Sequence, residues 1–132
     1  RAVEVALGEL DRTFGDVYGN DAGHLEFQYT ARASYALNKA FGAPIGKAFG
    51  ITVGAPAGIG VVLADTAVKA ATVDVIGYAS PAGGTSYSNE VISFLSGDSG
   101  AVRQAIIAAR EVGIPLLGAL GAKPESTTTP YI

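Results

Sequence analysis

Hydrophobic spacing along this chain switches repeatedly between a helical and a strand-like period. Val3, Ala6, Leu7, Leu10 and Phe14 share one helical face, with Glu4, Glu9, Asp11 and Arg12 elsewhere, which predicts a helix over Ala2 to Phe14. Gly15 to Gly23 is rich in Gly, Asn and Asp and is expected to be a loop. Leu25, Phe27 and Tyr29 then alternate with Glu26, Gln28 and Thr30, the period of a half-buried strand. A short helix is expected over Ser34 to Phe41, ended by Gly42-Ala43-Pro44. Phe49, Ile51 and Val53 alternate again, up to Gly54-Ala55-Pro56. From there Ile59, Val62, Leu63, Ala67 and Ala70 return to a helical face, and Asp65 sits four residues before Lys69 on the opposite one.

Val73 to Ala79 and Val91 to Leu95 read as two further strands. Asp98 or Ser99 is placed to cap the next helix, with Val102, Ala105, Ile106 and Ala109 inward and Arg103, Gln104 and Arg110 outward. Gly113 and Pro115 are expected to stop it. The order strand, helix, strand, strand, helix from Phe49 to Val112 is most of a split βαβ unit. The fold class is therefore α/β (α+β), an antiparallel sheet flanked by helices in a ferredoxin-like arrangement. One more strand must close the sheet. Leu25 to Tyr29 is favoured over Gly113 to Gly121, and that choice makes the domain circularly permuted. The expected organisation is one domain over 1–122, with a helix and extra strand in 1–44 and a core in 45–122. The Thr-, Ser- and Pro-rich tail 123–132 is expected to be an arm or disordered.

Charge narrows the partners. Nine basic and twelve acidic residues give a net charge of −3 with no basic cluster, so the chain lacks the footprint of a nucleic-acid binder. Hydrophobic residues make up 48%, yet Gly, Asp, Lys or Pro interrupt every apolar run before the roughly 20 residues of a membrane span. The surplus apolar surface is expected to meet other copies of the protein. No cysteine is present, which excludes disulfide and thiolate chemistry and fits a reducing cytoplasm; a single histidine argues against a His-based metal site. The start carries no signal-peptide pattern, and the absence of Met leads us to expect a processed or truncated product.

Several segments imitate chemistry. Gly97-Asp98-Ser99-Gly100 looks like a serine nucleophile segment, but the only base available is His24, expected in a loop, and helix capping explains the same residues. Gly54-Ala55-Pro56-Ala57-Gly58-Ile59-Gly60 lies where a phosphate loop would sit, yet Leu63 breaks the Gly-x-Gly-x-x-Gly pattern. Small residues that let a helix start close to a sheet account for it. Gly42 to Lys47 also misses the P-loop spacing. The acid pairs Glu9/Asp11 and Asp16/Asp21 read as surface residues.

Two features ask for a different role. Lys69 is a late charge in a helix of small residues, either paired with Asp65 or reaching a neighbouring oligomer. Ser80-Pro81-Ala82-Gly83-Gly84-Thr85-Ser86-Tyr87-Ser88-Asn89 is longer than common hairpin loops, uncharged, and lacks large aliphatics. Its hydroxyls and amides suit the passage of small polar molecules better than their retention.

Asp65-Thr66-Ala67-Val68-Lys69-Ala70-Ala71-Thr72-Val73, the Gly77-Tyr78 strand and Gly97-Asp98-Ser99-Gly100-Ala101-Val102-Arg103-Gln104-Ala105 resemble the shell-protein (BMC) domain of bacterial microcompartments. Leu10 to Tyr18, Gln28 to Tyr35 and Gly84 to Val91 are similar to the second half of the PduB-type, tandem-domain, trimer-forming shell family of propanediol and ethanol utilisation compartments. The resemblance covers essentially the whole chain. It implies a non-enzymatic wall component in a cytoplasmic microcompartment shell, with no cofactor and no metal. It implies homo-oligomers, either a trimer of tandem domains or a hexamer of single domains, and contact with other shell proteins. Small polar metabolites such as diols, glycerol or aldehydes would cross a pore lined by the loop Ser80 to Asn89. Lys69 would lie at the tile edge. Only one domain is present, and the Ile-Pro-Arg-Pro run of single-domain hexamers is missing after the last helix. A small ligand- or nucleotide-binding regulatory domain on a ferredoxin-like fold is the alternative.

Overall fold

The computed structural model describes residues 1–13 (10–13 by backbone alone), 15–81, 89–126, 128 and 132. In chain order the elements are α1 (Ala2–Thr13), β1 (Asp16–Asn20), β2 (Gly23–Thr30), α2 (Tyr35–Phe41), β3 (Ala48–Ala55), α3 (Ala57–Ala70), β4 (Asp74–Ala79), β5 (Val91–Gly97), α4 (Ser99–Ala119) and β6 (Glu125–Ser126). The strands form one sheet in the order β4-β5-β3-β2-β1-β6, and every neighbouring pair is antiparallel. The favoured closing strand is the one used: β2 pairs with β3 from His24↔Ala55 to Thr30↔Phe49.

Period-two alternation divides the sheet into two unlike faces. Leu25 and Phe27 of β2 and Leu95 of β5 point toward α3 and α4 and are completely buried with Leu63, Ala67, Val102, Ala105, Ile106, Ala109 and Leu117. The opposite face carries Phe49 and Phe94, which meet Phe41 of α2 at ring separations of 5.5 and 4.9 Å. Ser34 caps α2 through its side chain, and Gly42 ends it in the left-handed conformation at φ 70°.

The glycine-rich segment between β3 and α3 lets helix and sheet approach. A Cβ on Gly54 would lie 2.5 Å from the Gly60 nitrogen, and one on Gly60 would lie 2.6 Å from Val91 Cβ. Small side chains here serve packing.

Four expectations are corrected. First, the segment after α1 is not all loop: Asp16–Asn20 forms β1, because its pairing with β2 overrides the turn-like composition. Second, α4 runs through Gly113 and Pro115 to Ala119, so Gly113 to Gly121 supplies no strand. Proline removes its own amide and crowds the carbonyl one turn earlier, and the helix beyond it buries Leu117 completely, which offsets much of a cost of about 3 kcal/mol. Third, the described residues of the tail are not a free arm. Glu125–Ser126 pairs with β1, Thr128 Oγ1 donates to the Gly15 carbonyl at 2.8 Å, and Ile132 packs against the main core. Fourth, Asp98 occupies the N-cap position of α4 without a side-chain cap, because its carboxylate accepts from Lys47 Nζ at 3.0 Å.

Candidate functional site

The hairpin between β4 and β5 opens at the end of the sheet where β2 begins and β3 ends, since His24 is opposite Ala55 and Val91 is opposite Gly54. Of the predicted pore loop, Ala82 to Ser88 lies outside the described residues; Ser80, Pro81 and Asn89 are exposed at its two ends. Ser80 Oγ donates to the Glu90 carbonyl at 3.0 Å, which ties the hairpin's ends together. The Glu90 carboxylate lies 3.0 Å from His24 Nε2, and Glu26 is 3.9 Å from the same nitrogen. His24 therefore belongs to β2, against the expectation of a solvated loop residue. Reading it as a loop residue followed from the glycine beside it.

Lys69 projects from the last turn of α3, 73% exposed, and donates to Asp65 Oδ2 at 2.6 Å. The same helix leaves Val61, Val62 and Val68 exposed, and the edge strand β4 leaves Val75 and Tyr78 exposed. An edge strand with bare apolar side chains and unpaired amides is a surface suited to association.

The serine segment assembles no triad among the described residues. Ser99 Oγ contacts the Tyr29 hydroxyl at 3.3 Å, while His24 lies at the other end of β2. Among the described residues no group of three or more His, Cys, Asp or Glu side chains could hold a metal ion. No helix there is long and apolar enough to cross a membrane.

Sequence reasoning missed one polar centre entirely. Asp16 is fully buried and pairs with Arg110, so neither is the surface residue expected. Arg110 also donates to the Ile132 carbonyl at 3.1 Å. Burial first, then the Asp16 charge, raises the Tyr18 phenol above its ordinary value, partly countered by Arg110. Nothing in the local pattern around Asp16 distinguishes it from a turn aspartate.

The family model described as the BMC domain matches residues 48–122, which runs from β3 to just beyond α4. The chain belongs to the BMC domain family. It is 67% identical over all 132 residues to bacterial microcompartment shell protein PduB of Citrobacter freundii, and covers 49% of that protein. It is 53% identical to PduB of Limosilactobacillus reuteri, covering 56%. The chain thus spans about half the length of the curated relatives it matches. Among solved structures, a trimeric microcompartment shell protein PduB aligns over 99% of this chain and 58% of its own, at 53% identity and a TM-score of 0.88. EtuB from Clostridium kluyveri aligns with the same coverages at 54% identity and a TM-score of 0.89. A fused permuted hexameric shell protein, 20% identical with a TM-score of 0.59, shares the fold. β1 and β2 of this BMC chain precede the matched segment, yet they lie within its sheet.

Proposed function

We propose that this chain is a structural shell domain of a bacterial microcompartment, one half of a longer tandem-domain protein of PduB type. Whole-length similarity to PduB at half of PduB's length carries this reading. The domain, 1–122 with its tail 123–132, is circularly permuted, and three tandem chains close a pseudo-hexagonal tile in the shell. The tile has no catalytic task. The hairpin from Ser80 to Asn89 borders a passage for small polar metabolites such as diols, glycerol or aldehydes, and Lys69 faces the neighbouring tile, where other shell proteins also dock. The exposed valines of α3 and the bare edge of β4 support lateral association.

Native mass and negative-stain microscopy of the full-length protein test the proposal. Trimers that lie flat and extend into sheets are the expected result. A dispersed monomer at every concentration, with saturable nucleotide binding, would overturn it in favour of a regulatory domain.

A further inference from the structure

The described side chains of the first helix stand clear of the domain's core. Residues 1–9 are all exposed, and Val3, Val5 and Leu7 are 70%, 59% and 58% accessible. Val3, Ala6 and Leu7 recur at helical spacing along one face of this 12-residue helix. A helix of that length is marginal in water, and most helical stability in proteins comes from packing an amphipathic face. Among the described residues, 1–9 gain no such packing inside this domain.

The length of the relatives indicates what supplies it. The trimeric PduB structure aligns over 99% of this chain, α1 included, and possesses a further 42% of chain that this sequence does not contain, the complement of the 58% aligned. We infer that α1 is a docking helix whose Val3–Leu7 face seats against the companion shell domain of the same longer chain. This rests on the tandem reading above and adds to it a named surface that joins the two halves. Hydrophobic anchors at i and i+4 are the usual signature of a helix laid into an apolar groove.

Hydrogen exchange on the full-length tandem protein tests the inference, with and without V3E plus L7E. Glutamate is a better helix former than valine and about equal to leucine, so the double variant removes the apolar face without breaking the helix. In the wild type the amides of 2–13 should be protected by about 100-fold or more, and in the variant they should approach unprotected rates, with protection of the sheet unchanged. V3A plus L7A should give an intermediate loss. Docking within one chain makes α1 protection independent of protein concentration. Protection that follows the trimer fraction on dilution would place α1 on a neighbouring chain and overturn the inference. Unprotected α1 amides in the wild type would overturn it as well. Absence of sheets under the microscope would refute the shell reading and leave these exchange results standing.

Discussion

Arg110, midway along α4, donates through Nη1 to the carboxylate of Asp16, the completely buried first residue of β1. The pair joins the helical layer to the sheet and, through the Ile132 carbonyl, to the end of the tail. Removing only the cation strands a charge away from water. Arg110→Ala should therefore cost about 3–5 kcal/mol in urea unfolding, while Asp16→Asn combined with Arg110→Met should cost less than the two singles summed. Simple additivity in that cycle would refute the coupling.

Alkaline behaviour should report on the same centre. A phenol whose folded pKa is raised keeps its proton after the unfolded chain has lost its own, so the unfolded state gains stability as pH rises. The contribution of Tyr18 is complete below about pH 10 and is lost as pH climbs through the folded value. Tyr18→Phe should flatten the fall in stability above about pH 10, measured by denaturant titration at stepped pH. An unchanged slope would exclude Tyr18 as its source.

Close approach of α3 to the sheet predicts opposite signs for two glycines of one segment. Gly60→Ala forces a methyl against Val91 Cβ and the Gly54 carbonyl, and should destabilise by about 1–3 kcal/mol. Gly58→Ala meets nothing within 4 Å in the first turn of the same helix and should stabilise by about 0.5 kcal/mol. Equal effects in thermal melts would contradict this packing.

Lys69→Ala separates folding from assembly. Its exposed pair with Asp65 contributes at most about 0.5 kcal/mol, so the melting temperature should barely move. Sheets in negative stain should fail to extend. Wild-type sheets from this variant would remove the tile-edge role.

Much of the architecture was legible from spacing. β2 and β3 announced themselves by clean alternation of apolar and polar residues, and α3 by its return to a helical period. β1 did not, because Asp16, Gly19 and Asn20 carry turn chemistry that only pairing with β2 overrides. The far end of α4 was hidden for the same kind of reason: Pro115 is a local stop signal, and the burial of Leu117 that offsets much of its cost is a tertiary fact. The tail's attachment depends on a two-residue ladder and on Thr128, neither of which leaves a periodic trace. Lys69 and the hairpin stand out in the sequence as candidates only, while the contacts at the hairpin's described ends leave no sequence signal. The His24–Glu90 contact joins positions 66 apart in sequence.

The helices α3 and α4 cover one side of the sheet, while on the other, among the described residues, Phe41 of the short α2 packs on Phe49 and Phe94. A unit with two unlike faces is directional, so in a wall of the proposed kind flipped and unflipped copies would be chemically distinct. A probe that reacts with only one face would therefore read the orientation of each copy.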